Sequence, residues 1–331
     1  MQRSDTILAV TKVGPVAWLG YVAVRAVFAI MQMFPIDWNL RTARILARVW
    51  PVLWPRHRQR ALAHLCVAFR EQSLRCLTRI ADQCLASWTM FAVEVICLPR
   101  LVTPETWSRH IQLRDFDEAL RLLLSGKGVI LVTGHYGSFE LMGHLLACLG
   151  FNVAAVMRPL DNAYINRFIV DSRRTHGLTL LDKKGAMQSA EQLLTDGALL
   201  AFIGDQDAGR KGLFVDFFGQ PASTYKSIGI LALATGAPIV VGYARRLGNA
   251  ARYEVGVQRI IRSEEWEARD DPLKWITQAY TSAIESFVRE APEQYLWIHR
   301  RWKSQPGRKR DSAALSAPIN LAPERAKERV G

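Results

Sequence analysis

The chain has 331 residues, half of them apolar and 22% charged, enough to bury a large core; this excludes a disordered, collagenous or disulfide-stapled protein. It is too polar for a multi-span transporter, which needs several apolar stretches of about 20 residues. The formal charge is +13, and the stretch from Lys303 onward holds only four of those excess charges, so the body itself expects anionic partners: nucleic acid, an acidic membrane face, or acidic substrates and carriers.

Residues 1–12 read as a leader. Residues 13–36 (VGPVAWLGYVAVRAVFAIMQMFPI) are the one long apolar run. As a helix this run is about 36 Å long at ~1.5 Å per residue, enough for a bilayer core of about 30 Å. Arg25 sits near its middle, where an arginine costs about 2.5–3.5 kcal/mol on insertion scales. The run lacks a basic start and a small-residue cleavage site, so a removed signal peptide fits poorly. Trp38, Trp50 and Trp54 then interleave with Arg41, Arg44, Arg48, Arg56, Arg58 and Arg60, a mixture suited to the headgroup zone of the cytoplasmic leaflet. The expectation is a membrane-anchoring helix over 13–36, either a single span or a deep interfacial anchor, with the rest of the chain in the cytoplasm. A buried soluble helix is the competing reading.

From Arg56 to Leu98 the apolar spacing of three and four residues predicts helix. Five cysteines form no CxxC pair, and four of them (Cys66, Cys76, Cys84, Cys97) fall in this helical stretch. They read as free thiols in a reducing compartment, not as a disulfide framework or a zinc site.

From Ile111 strand and helix alternate. Gly128–Thr133 reads as a buried strand, followed by a helix from Phe139 to Leu149 and a strand Val153–Met157. Next come a helix Ala163–His176, a strand Leu178–Leu181, a helix Ala186–Thr195 and a buried strand Ala198–Ile203. A loop dense in Gly and Asp leads to a helix near Ser227–Thr235. A strand Ile239–Tyr243, an edge strand Tyr253–Val257 and a helix Pro272–Glu290 close the set. This alternation predicts an α/β fold, a three-layer sandwich with a mostly parallel central sheet and helices on both faces. The body spans 37–304, with a helical lead-in over 37–105 and an α/β core over 106–304. Residues 305–331, rich in Ala, Pro and charge, read as a disordered basic tail.

The strand Gly128–Thr133 ends in Gly-His-Tyr-Gly-Ser-Phe-Glu. Ligands of open α/β sheets bind at the carboxyl ends of strands, so chemistry is expected here. Glycines on either side let the backbone turn sharply and expose His135. Glu140 begins the next helix and can reach back to the ring. A carboxylate on one ring nitrogen fixes the tautomer, while the other nitrogen takes a proton from a substrate hydroxyl. Taken alone the HxxxxE spacing is only moderately specific, since a helix-capping histidine with a glutamate complementing the helix dipole looks the same. No GxSxG elbow, P-loop or GxGxxG is present, so direct attack by a substrate hydroxyl on an activated ester or thioester fits best.

GHYGSFE at Gly134–Glu140, RPLDN at Arg158–Asn162, IGDQDAGRKGLFVDFFG at Ile203–Gly219 and APEQYLWIHRRWK at Ala291–Lys303 resemble, in order, the motifs of the bacterial lipid A biosynthesis acyltransferases, the late lauroyl and myristoyl transferases. That family is similar to the wider glycerolipid acyltransferases. The resemblance runs over Ile111–Pro306 and implies a glycerolipid-acyltransferase-like fold. By it, His135 is the general base and Glu140 its orienting partner. The donor is an acyl carrier protein thioester, and the acceptor a hydroxyl of a lipid A precursor at the inner membrane; no metal or organic cofactor is implied. A lysophospholipid, an aminolipid or a lipid-linked mannoside is the alternative acceptor. Ala222–Lys226, after the FFG, departs from the family's usual run of small residues and threonines, and leaves acceptor identity open.

Further residues carry two readings each. Arg158, after the second strand, is read as an anion contact or an aid to the developing oxyanion, against a surface arginine held by Pro159. Asn162 reads as a helix cap. Asp205 and Gln206, more than Asp207, are read as binding substrate hydroxyls or supporting the base, against ordinary turn chemistry. Phe217, Phe218 and Gly219 wall an acyl groove or belong to the core. Arg300, Arg301 and Lys303, interleaved with Trp297 and Trp302, suit single-stranded nucleic acid, the anionic membrane or an acidic carrier protein, of which the resemblance favours phosphates or the carrier, and His299 alone reads as a packed core histidine. Nucleic acid is not an expected partner, because no recognition-helix, RRM or KH pattern is present.

Overall fold

The computed structural model describes residues 13–157, 160–175, 177–182 and 186–307. The expected leader and most of the expected basic tail lie outside them. The apolar N-terminal run is helical from Pro15 to Gln32 (α1) and breaks at Met33–Pro35, because the residue before a proline is pushed out of helical geometry. Helices Ile36–Leu46 (α2) and Trp50–Leu53 (α3) follow. The stretch expected to be helical, Arg56–Leu98, forms two helices, Pro55–Ala68 (α4) and Leu74–Leu101 (α5). The break falls at Ser73, whose hydroxyl caps α5 by accepting the Cys76 N–H at 3.3 Å.

The α/β core then runs Trp107–His110 (α6), Ile111–Arg114 (β1), Asp117–Leu124 (α7), Val129–Thr133 (β2), Phe139–Cys148 (α8), Val153–Met157 (β3), Ala163–Thr175 (α9), Leu178–Asp182 (β4), Ala186–Thr195 (α10) and Leu199–Ile203 (β5). It continues with Leu213–Phe217 (β6), Gln220–Thr224 (β7), Ser227–Thr235 (α11), Ile239–Arg246 (β8), Tyr253–Ile261 (β9), Ser263–Trp266 (α12) and Pro272–Glu290 (α13), and ends in a 3-10 turn at Pro292–Gln294.

Seven strands form one mostly parallel sheet in the order β1-β9-β8-β2-β5-β3-β4; only β8 and β9 pair antiparallel. The stretch expected as an edge strand, Tyr253–Val257, therefore lies inside the sheet as part of β9, with β1 covering it. β1 had no sequence signal of its own, being four residues long and mostly exposed on a sheet edge.

Alternate residues of the central strands feed two cores. Ile130, Val132, Leu200 and Val241 pack with α4, α5, α11 and α13, while Val129, Leu131, Leu199 and Val240 pack with α7 and α8. Such two-sided burial is why these strands read as continuous apolar runs.

A small hairpin, β6–β7, stands apart from the sheet and was not expected from the sequence. Its turn residues Phe218 and Gly219 both have positive φ, 55° and 70°. A phenylalanine there is strained, and packing holds it: the ring is buried against Phe69, Trp297 and the Arg289 guanidinium. Phe217 and Phe218 thus belong to the core and do not wall a groove.

Candidate active site

β2 and β5 are parallel neighbours, and Thr133 lies opposite Ile203. Each strand is followed two residues later by a titratable side chain, His135 and Asp205. The ladder continues past the strand ends, with Gly204 donating its N–H to the Thr133 carbonyl at 2.7 Å. Register alone therefore sets His135 beside Asp205 at the carboxyl edge of the sheet.

The His135 loop is pinned by its neighbours. Leu296 donates its N–H to the His135 carbonyl, Gly137 donates to the Gln294 carbonyl and Ser138 to the Ala244 carbonyl. Gly137 has φ +54°, and a Cβ there would lie 2.1 Å from the Ala244 carbonyl oxygen, so no other residue fits without displacing the loop.

His135 is nearly closed off, its side chain 13% exposed, and Asp205 holds it by two bonds. Asp205 Oδ1 lies 2.7 Å from the ring Nδ1, and Asp205 Oδ2 accepts the His135 backbone N–H at 2.9 Å. The carboxylate can only accept, so Nδ1 carries the proton and Nε2 presents its lone pair. Gln206 Nε2 lies 3.4 Å from that nitrogen and is placed to donate to it.

Burial lowers the His135 pKa, but the Asp205 charge and hydrogen bond outweigh it, with Glu140 adding a smaller contribution through space, and the net shift is upward. Asp205 is fully buried, which by itself would raise its pKa; the imidazole's charge and hydrogen bonds override this and drive it well below the carboxylate range.

The expected contact between Glu140 and His135 is corrected here. Glu140, in the first turn of α8, pairs with Arg173 of α9 at 2.6 Å, and Asp205 takes the orienting position. An arginine facing the start of α8 draws the Glu140 carboxylate toward α9, and the sheet register delivers a nearer one.

Aromatic rings enclose the histidine. His299 stacks nearly parallel to it, with ring centroids 6.0 Å apart and planes 19° from one another, and Phe139 and Trp88 line other sides. His299 Nε2 faces the Asp207 N–H at 3.4 Å. Its pKa is lowered, chiefly by burial, which with the charges of His135 and Arg301 outweighs the raising effect of Asp205. The sequence reading passed over His299 and Trp88, because neither sits at a strand end.

The remaining expected site residues separate. Arg158 lies outside the described residues. Asp207 is structural: it accepts the N–H and hydroxyl of Ser304, each at 3.1 Å, and the Gly209 N–H at 3.2 Å. Arg301, expected to bind substrate, is 1% exposed. It donates to the carbonyls of Gln206 and Ser223 and to the Thr224 hydroxyl, which ties the Asp205–Gln206 loop to the β6–β7 hairpin. Arg300 is exposed, and its charge adds a smaller contribution to the lowering that burial chiefly causes at Arg60 and His64. Asn162 caps α9, accepting from Tyr164 and Ile165. The five cysteines are free thiols.

A buried histidine held by a carboxylate is an arrangement suited to proton transfer. The family model for bacterial lipid A biosynthesis acyltransferases matches residues 8–304. This chain belongs to that family. Among its relatives, a lipid A biosynthesis acyltransferase of Haemophilus influenzae is 24% identical over 73% of this chain and 74% of its own length. The palmitoleoyltransferase of Escherichia coli lipid A biosynthesis is 28% identical over 60% of this chain and 63% of its own. The Escherichia coli myristoyltransferase is 25% identical over 88% of each. Like its family, this lipid A biosynthesis acyltransferase family member is an acyltransferase.

Proposed function

We propose that the protein transfers a fatty acyl chain from an acyl carrier protein thioester to a hydroxyl of a lipid A precursor, at the cytoplasmic face of the inner membrane. The observation that carries this reading is the His135–Asp205 pair at the sheet edge of a chain from this family.

His135 Nε2 takes the proton of the acceptor hydroxyl as its oxygen attacks the thioester carbonyl. Asp205 stabilises the imidazolium that forms. Collapse of the tetrahedral intermediate expels the carrier thiolate, which recovers the proton from His135. Gln206, 3.4 Å from Nε2, is placed to orient the acceptor, and Arg300 to meet a phosphate on the donor or acceptor. Glu140 acts on the ring through space, from its pair with Arg173. Arg158 is kept as a proposed anion contact. The two cores on opposite sides of the sheet support a three-layer, glycerolipid-acyltransferase-like fold. A lipid surface is the proposed partner of the exposed apolar N-terminal helices.

The test is purified full-length protein given an acyl carrier protein thioester and either a lipid A precursor or a lysophospholipid, with products read by mass spectrometry. Acylation of the precursor alone is expected. Consumption of the lysophospholipid with the precursor untouched overturns the acceptor assignment.

A further inference from the structure

By length and composition α1 could cross a membrane. Its contacts point elsewhere. Eighteen residues make a helix about 27 Å long at ~1.5 Å per residue, and α1 touches the enzyme body along that whole length. Asn162 donates to the Ala17 carbonyl at 2.8 Å. Tyr21 meets Tyr164 and Phe168, and Phe28 meets Phe168 at 5.5 Å between ring centroids. At the last turn, Arg100 donates to the Gln32 carbonyl and side chain. The half-buried positions 17, 21, 24, 28 and 31 recur at three- and four-residue steps, so one stripe of the helix is laid against the body from end to end.

The surface beside that stripe carries exposed charges among aromatic rings. Arg25, Arg167, Asp171 and Ser172 share an open groove of about 490 Å³ with Tyr21, Tyr164 and Phe168. Arg167 and Asp171, 3.7 Å apart, have side chains 80% and 62% exposed. Were α1 to span the bilayer, the body fastened to it would carry these groups into hydrocarbon, at about 2.5–3.5 kcal/mol for each charge at the centre.

The opposite face is apolar: Val16, Trp18, Leu19, Val27 and Ile30 are exposed. More than half of the large apolar side chains exposed among the described residues lie between Val13 and Trp54. In α2 and just beyond it, exposed Trp38, Ile45 and Leu46 stand among exposed Arg41, Arg44 and Arg48, which complements an anionic lipid surface and not a second protein core.

We propose that α1 lies in the plane of the membrane surface and does not cross it. Its outer face enters the acyl boundary, and Arg25 stays at headgroup level. There its guanidinium rests 4.6 Å over the Phe168 ring and within 3.2 Å of the Tyr21 hydroxyl, and no carboxylate among the described residues pairs with it. This rests on the membrane reading above, and the same anchor would bring the enzyme's lipid acceptor to it.

The experiment uses the full-length protein with an epitope tag before Met1. In inside-out membrane vesicles, whose cytoplasmic face is outward, added protease should remove the tag completely; in spheroplasts the tag should survive. The reverse pattern means that α1 spans and overturns the proposal. In a parallel flotation assay, the protein should rise with vesicles of equimolar phosphatidylcholine and phosphatidylglycerol. Failure to float overturns the membrane reading itself, whereas floating with a tag protected in inside-out vesicles overturns the in-plane placement alone.

Discussion

One carboxylate grips His135 twice: Asp205 Oδ1 stands 2.7 Å from the ring Nδ1, and Oδ2 accepts the same residue's backbone N–H at 2.9 Å. The first bond sets the tautomer and the second fixes the loop, so loss of Asp205 disturbs both.

Asp205→Asn keeps the shape but cannot stabilise an imidazolium, so kcat should fall by about 10²–10⁴-fold, close to the loss in His135→Ala. Glu140→Gln should retain most of kcat, because its partner is Arg173, in a pair about a quarter to a third exposed. Steady-state kinetics on the three variants decide the matter: a loss in Glu140→Gln as deep as in Asp205→Asn would reinstate Glu140 as the orienting group.

The ring must be neutral to accept a proton, and its pKa stands above the ordinary 6.5 because Asp205 outweighs burial. Activity should therefore rise with pH along a limb whose midpoint lies above 6.5, and Asp205→Asn should move that midpoint down. The same upward shift stabilises the fold fully below pH 6.5, and that contribution is lost as pH rises through the folded value. A kcat/KM profile with no limb on the acid side would show that His135 is not the base.

Gly137→Ala should cost about 1–3 kcal/mol and displace the His135 loop, because the new methyl meets the Ala244 carbonyl at a positive φ. Thermal unfolding together with kcat should report both effects; an unchanged melting temperature would mean that the loop yields freely.

Arg301 and Arg300 are neighbours with opposite predictions. Removing the buried guanidinium in Arg301→Met strips donors from the Gln206 and Ser223 carbonyls and the Thr224 hydroxyl, each bond being worth about 0.5–1.5 kcal/mol, so stability should drop. Arg300→Ala should leave stability unchanged and raise KM for the anionic substrate. Denaturant titration of both variants, with KM for Arg300→Ala, separates the roles.

Glu94 of α5 is buried against Arg246 at the end of β8, and Tyr253 donates to the same Glu94 oxygen at 3.0 Å. Glu94→Gln leaves a buried guanidinium without its counter-charge and should cost about 3–5 kcal/mol in denaturant unfolding. A loss below about 1 kcal/mol would place the pair in water.

The sequence by itself determined the α/β alternation, since β2, β3 and β5 are apolar runs that only two-sided burial explains, and it located His135 at a strand's carboxyl end. It also marked Asp205 and Gln206 at the end of a second buried strand. Only the tertiary structure decided that these two strand ends are adjacent: β2 and β5 lie side by side, and the Thr133–Ile203 register brings together residues 70 positions apart. Local spacing favoured Glu140 because it is near in the chain, but helix α9 supplies Arg173 to occupy it. The burial of Arg301 and the stacking of His299 on His135 were likewise invisible, because both arise where the segment carrying His299 and Arg301 folds back over the sheet edge. Composition showed α1 to be apolar, but which of its faces meets protein is set by Asn162, Phe168 and Arg100, contacts made across distant parts of the chain.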